Sequence, residues 1–218
     1  MITQIYEVND PETARLVEEA GVNNIGVLVG FGEFPRESSV ENAKKVFDSI
    51  IRAKKVALVL SNDLERIAEI VSELHPDILH LAALPEKLSP DDVKTLKLKF
   101  PEVLLMRSIP VIGEESIALA MQYDGIADLL LLDSHKSDDV QVGATGFVHD
   151  WNVSEKIVSS VHIPVILAGG LGPENVAEAI IKVHPYGVDS KTKTDMPGTW
   201  KKDIEKVRQF VEAANLAS

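Results

Sequence analysis

The stretch IPVILAGGLGPENV, residues 163–176, decides the fold. Residues 165–168 form a short, branched, apolar run of the length expected for a strand buried on both faces in a parallel sheet. The run breaks at Gly169-Gly170, and a helix is predicted to open with Pro173 near its first position and Glu174 in its first turn. Glycines let a backbone approach a ligand closely, and the unpaired N–H groups of a helix start favour an anion. Read alone, the stretch is either half of a phosphate cradle or a bare strand-to-helix turn.

The same alternation recurs on both sides of it. Strands are predicted over residues 3–8, 24–29, 55–60, 77–81, 103–107, 128–132, 165–168 and 187–189. Helices are predicted from 11 to near Gly21 and over 40–53, 64–74, about 90–100, 114–123 and 152–160. The last two run from 173 and over 197–215. The first helix carries the start signals Asn9-Asp10-Pro11-Glu12, and the second gathers Ala43, Val46, Phe47 and Ile50 on one face. Eight strands alternating with eight helices imply parallel pairing through helical crossovers. In a chain of 218 residues this predicts the α/β class and one domain, a closed (β/α)8 TIM barrel over residues 1–218. The rival is an open doubly wound sheet, but no G-x-G-x-x-G follows the first strand.

Composition narrows the function classes. The apolar fraction of 45% and charged fraction of 26% are those of a globular protein in water. No apolar run approaches the length of a membrane span and no signal pattern opens the chain, so neither a membrane nor export is expected and the cytoplasm is the default location. There is no cysteine, which excludes disulfides and thiolate chemistry. A net charge of -12 speaks against a nucleic-acid partner and requires a local positive site for any anionic ligand.

In a barrel of this kind ligands sit at the C-terminal ends of the strands, and a phosphate often lies at the seventh and eighth loops. Gly169 and Gly170 occupy the seventh loop. The eighth, from Asp189 through Ser190, Lys191, Thr192 and Lys193 to Thr194, faces it with hydroxyls and two cations. Asp133 ends a strand of leucines and should emerge at the mouth, where partial desolvation suits a carboxyl to general acid work. Gly143, Thr145 and Gly146 in the following loop are candidate backbone donors, and Arg36 is a candidate carboxylate clamp. Tyr6, Glu7, His80 and Arg107 lie near strand ends, and period-two alternation places Tyr6 and Glu7 on opposite faces. Among the histidines and carboxylates no spacing suggests a metal site. Trp151 and Trp200 are expected to pack.

Together these motifs resemble the phosphoribosylanthranilate isomerase family, nearly end to end. The marks are Ala20-Gly21 with Ile25-Gly26, Pro35-Arg36, Leu131-Leu132-Asp133-Ser134, Gly143-Ala144-Thr145-Gly146 with Asp150-Trp151, Leu167-Ala168-Gly169-Gly170-Leu171, Pro173-Glu174-Asn175-Val176 and Gly187-Val188-Asp189. The resemblance implies a cofactor-independent rearrangement of a phosphoribosyl amine of anthranilate from aminoaldose to aminoketose, in tryptophan biosynthesis. It implies a small phosphorylated substrate as the partner and is compatible with a homodimer. Asp133 falls on the family's general acid and Arg36 on its carboxylate clamp. Gly169, Gly170 and the eighth loop, with Ser190, Lys191 and Lys193, fall on its phosphate site, and Asp189 on the aspartate after the last strand.

The chain also departs from the family. Where the family opens with Lys-Ile-Cys-Gly, whose cysteine is the general base, this chain has Gln4-Ile5-Tyr6-Glu7. A phenol of ordinary pKa near 10 is a poor base at neutral pH. The fourth strand's Gln-Leu-His-Gly becomes His80-Leu81-Ala82-Ala83, and the eighth loop's Ser-Ser-Gly becomes Lys191-Thr192-Lys193. Glu7 and His80 are therefore the candidates for a relocated base. The alternatives are a divergent isomerase or lyase acting on another phosphorylated substrate, and a paralogue that binds such a ligand without catalysis.

Overall fold

Apolar runs separated by turn-forming residues pair side by side into a ring, with helices packed around the outside. The computed structural model describes residues 1–134 and 148–218. The elements in chain order are β1 (Ile2–Ile5), α1 (Pro11–Glu19), β2 (Asn24–Leu28), α2 (Val40–Asp48), β3 (Lys54–Val59), α3 (Leu64–Leu74), β4 (Ile78–Leu81), α4 (Pro90–Lys99), β5 (Leu104–Pro110), α5 (Glu115–Tyr123), β6 (Leu129–Asp133), α6 (Trp151–Ser160), β7 (Val165–Leu167), α7 (Val176–Val183), β8 (Gly187–Ser190) and α8 (Ile204–Leu216). The strands follow one another around a closed parallel barrel in sequence order. β1 closes on β8 with Ile2 opposite Gly187 and Gln4 opposite Asp189. This is the (β/α)8 barrel that the alternation predicts.

Period-two alternation sorts each strand's side chains into two layers. Ile5, Val27, Leu105, Leu130, Leu132 and Val188 belong to the layer shared with the helices. Val56, Ile78, Met106, Leu129, Leu131 and Ile166 fill the barrel interior together with Tyr6. Asp133 continues the phase of Leu129 and Leu131, and Asp189 is out of phase with Val188. Both carboxyls thus come up on the inner side of the rim.

Side-chain caps fix most helix starts. Asp10 accepts from the Thr13 N–H ahead of α1, and Ser89 and Asp92 form a reciprocal capping box at α4. Each cap contributes about 1 kcal/mol. His75 and His184 end α3 and α7 in the left-handed conformation, at φ 46° and 52°.

Several boundaries differ from the sequence expectation, each for a local reason. α2 stops at Asp48, short of residue 53, because Glu18 Oε1 takes the N–H groups of Ile51, Arg52 and Ala53 at 3.0, 2.6 and 2.8 Å. α7 begins at Val176, not near Pro173. Asn175 accepts from Gly172 N–H at 2.8 Å and donates to Gly170 O at 3.1 Å, which holds the intervening residues in a turn. The last helix begins at Ile204, capped by Asp203, because residues 195–202 fold back on themselves. Asp195 and Lys202 form an antiparallel bridge, and Gly198 turns the chain at φ 71°.

Candidate active site

Tyr6 leaves the end of β1 pointing into the barrel, where its ring lies against the bare backbone of Gly26. A Cβ added to Gly26 would come within 2.0 Å of Tyr6 Cδ1, so this strand position must lack a side chain. The phenol meets His80 Nδ1 at 2.5 Å, and His80 Nε2 meets Ser108 Oγ at 2.6 Å. Burial, and secondarily the charges of Asp189 and Asp133, hold the Tyr6 phenol well above its ordinary pKa. Burial, with Arg107 as the lesser cause, lowers His80 to about 3. Both groups are therefore neutral at pH 7. Tyr6 donates to Nδ1, and the Nε2–H of His80 donates to Ser108.

Glu7 follows in a left-handed conformation, at φ 59°. That turn is why Tyr6 and Glu7 both face the mouth and line the same cavity, against the opposite faces expected from strand alternation, which ends with β1 at Ile5. The Glu7 carboxylate is buried, and both of its oxygens accept from Arg36 Nη1 at 2.8 Å. Arg36 is itself left-handed, at φ 68°. Lys191 Nζ stands 3.4 Å from Glu7 and 3.1 Å from Asp195, which also pairs with the buried Lys202 at 2.5 Å. The Trp200 ring covers this cluster, with Arg36 Cζ 4.7 Å and Lys191 Nζ 4.5 Å from its centroid. Trp200 therefore stacks on two cations at the rim and stays largely exposed, where the sequence predicted packing.

Asp133 and Asp189 face one another's cavities from β6 and β8. Two small recesses, of about 50 and 30 Å3, share Asp133, Asp189 and Lys191 in their walls. The Asp133 carboxylate accepts from the Ser134 N–H at 2.7 Å. Asp189 is buried and accepts from Gln4 at 3.3 Å, and Gln4 in turn accepts from Asn24 at 3.1 Å. Burial first, then the neighbouring Asp133 charge, pushes Asp189 well above the usual carboxylate range, against smaller opposite pulls from Gln4 and Lys202.

Gly169 and Gly170 are both left-handed, at φ 83° and 65°, and border the smaller recess with Asp133, Ser190, Lys191 and Lys193. At Gly169 the bare backbone is also a packing requirement, since a Cβ there would lie 2.7 Å from His149 Nδ1. Ser190 Oγ donates to Leu171 O at 2.7 Å and ties the seventh loop to the eighth. Lys193 is half-exposed, 3.5 Å from Glu174, and is the more available of the two loop lysines. Gly143, Thr145 and Gly146 lie outside the described residues. Arg107 turns away from the mouth. It shares the outward phase of Leu105 and donates to Leu81 O and Ala83 O at 2.8 and 2.7 Å, bracing the loop after β4. Among the described residues no group of three or more histidines and carboxylates could hold a metal ion. A larger depression, about 840 Å3, lies outside the mouth between the 195–200 turn and α8.

An acid at the end of β6, an arginine in the second loop and a glycine pair after β7 are thus held around one opening. The family model for N-(5'-phosphoribosyl)anthranilate isomerase matches residues 12–213. The chain belongs to the N-(5'-phosphoribosyl)anthranilate isomerase family. A family enzyme of that name from Methanocella arvoryzae is 36% identical over 210 residues, covering 96% of this chain and 95% of its own. "N-(5'-phosphoribosyl)anthranilate isomerase 2" of Methanosarcina mazei is 33% identical, covering 98% and 94%. The isomerase structure from Pyrococcus furiosus superposes with a TM-score of 0.80 at 26% identity over 99% of both chains.

The structure places Asp133, Glu7, His80 and Asp189 around one cavity at the C-terminal ends of the strands, with Arg36 bonded to Glu7. The sequence did not reveal that Arg36 is engaged by Glu7, or that His80 is bonded through both nitrogens. Ser108, Lys202 and Asp195 were not singled out. Ser108 shares the inward phase of Met106, so strand alternation alone could have placed it beside His80.

Proposed function

We propose that this chain isomerises phosphoribosylanthranilate from aminoaldose to aminoketose, the step of tryptophan biosynthesis after which its family is named. The observation that carries the reading is the placement of Asp133 on the inner rim beside the left-handed Gly169-Gly170 pair. A phosphate seated on the bare backbone there, near Lys193, would bring the ribose ring oxygen toward the Asp133 carboxyl. Protonation of that oxygen by Asp133 lets the amine lone pair open the ring to an iminium. Loss of the proton from C2 and return of the electron pair to nitrogen then give the enolamine, which ketonises. Arg36 is the cation suited to the anthranilate carboxylate, once Glu7 has moved from it.

The test is loss of anthranilate-type fluorescence from freshly generated phosphoribosylanthranilate, with Asp133→Asn as the control. Turnover by the natural chain, lowered by about 100-fold or more in the control, supports the reading. Absence of turnover by the folded natural chain refutes it.

One observation favours a second reading. Glu7 already occupies Arg36 with both oxygens, which suits a phosphorylated amine whose aglycone carries no carboxylate. Faster turnover of the aniline analogue than of the anthranilate compound would select it. A cytoplasmic location and a homodimeric assembly belong to the same proposal, and sedimentation of the full chain tests the second.

A further inference from the structure

We propose that Asp189 is the base of this isomerisation, its carboxylate taking the proton from C2 of the opened aminoaldose after Asp133 has protonated the ring oxygen. The assignment rests on the isomerase reading above and supplies what that reading lacks, a group in place of the cysteine that Tyr6 replaces.

Among the described residues, geometry carries it by elimination. The Tyr6 hydroxyl is committed to His80, and the His80 ring is bonded at both nitrogens. Glu7 is held by Arg36 through both of its oxygens and by Lys191, contacts it would have to give up to reach a substrate proton. Lys191 is a paired ammonium. Asp189 lines both recesses together with Asp133, and among the described residues its one side-chain hydrogen bond comes from Gln4, a neutral amide. It stands on β8, next to the strand that carries Tyr6.

The pairing with Asp133 gives the step its direction. Two carboxyls walling one small cavity resist being ionised together, so the pair tends to hold one proton. At rest that proton sits on Asp189, the carboxyl held above its usual range beside the Asp133 charge, and it must pass to Asp133 before the ring opens. Once Asp133 has given it to the ring oxygen, the pair is left doubly ionised and its appetite for a proton is greatest. The C2 proton satisfies it. The C2–H electrons form the C1–C2 double bond, the iminium electrons return to nitrogen, and the enolamine then loses its hydroxyl proton and gains one at C1. Over the cycle no oxidant, reductant or second substrate is consumed.

The experiment compares the natural chain, Asp189→Asn and Asp189→Ala in the same turnover assay, with formate added to the alanine variant. The expected result is a kcat lowered by about 100-fold or more in Asp189→Asn with KM within about threefold, as loss of a general base requires. Formate should restore a concentration-dependent part of the rate in Asp189→Ala. An active natural chain with Asp189→Asn within about tenfold of it overturns this assignment and leaves the isomerase reading standing. An inactive natural chain overturns both. If the asparagine variant does not fold, Asp189→Ser is judged by the same criterion, and failure of formate to rescue a folded alanine variant also counts against the assignment.

Discussion

Replacing Gly26 by alanine should disturb the mouth through Tyr6. The added methyl would lie 2.0 and 2.1 Å from Tyr6 Cδ1 and Cε1. Carbon atoms pack at about 3.5–4.0 Å, so the ring must retreat by about 1.5 Å. The Tyr6–His80 contact is 2.5 Å, and a displacement of that size carries it beyond hydrogen-bond range. Overpacking costs about 1–3 kcal/mol and a buried acceptor left without its donor about 1–3 kcal/mol. Allowing for partial relaxation, Gly26→Ala should destabilise the chain by about 3 kcal/mol. In a Tyr6→Ala background the methyl has nothing to strike and should cost less than about 1 kcal/mol. Urea unfolding of the four proteins of this cycle gives a coupling energy of about 2 kcal/mol if the argument holds. Equal costs in both backgrounds, or a cost below 1 kcal/mol with Tyr6 present, would refute it.

Two further outcomes follow from the charged groups. His80 is held near 3 in the folded chain and returns to about 6.5 when unfolded, so the unfolded state binds the extra proton between those values. Stability is therefore full above about pH 6.5 and falls as pH drops toward 3, by at most about 4–5 kcal/mol from this residue. Denaturation midpoints measured across that window should be flatter for His80→Gln, and an unchanged slope would show that His80 does not bear the effect. Separately, Glu7→Gln should tighten inhibition by anthranilate about tenfold, because Arg36 loses its internal carboxylate and keeps its charge. Weaker inhibition would mean that Glu7 positions Arg36 rather than competing for it.

Most of the barrel was legible because parallel strands buried on both faces read as short apolar runs and their helices carry explicit start signals. Asp133 could be placed inside the rim from the phase of the leucines before it. The features that resisted sequence reading are those set by contacts between distant segments. The left-handed turn at Glu7 is stabilised by Arg36, 29 residues away, and no local residue pattern announces it. The start of α7 was misplaced because Asn175 closes a turn onto Gly170 and Gly172, overriding the usual preference for proline at a helix start. Arg107 was placed near a strand end, but β5 runs on to Pro110, and the outward phase of Arg107 with Leu105 and Ile109 is readable from the sequence. The Tyr6–His80–Ser108 chain joins β1, β4 and β5, and its members become neighbours only when the barrel closes.

The stacking of Trp200 on two cations has an optical consequence. The chain contains two tryptophans, and Trp200 rests on a pair of cations at the mouth. The two recesses walled by Asp133 and Asp189 are far smaller than the roughly 300 Å3 of an ordinary ligand pocket, so a ligand seated there must shift a wall residue such as Lys191, on which the indole rests. Any such shift alters the electric field on the ring and hence its emission. With Trp151 replaced by phenylalanine, the remaining indole becomes a built-in probe, in which filling of the mouth can be followed in real time without a label and without chemistry taking place.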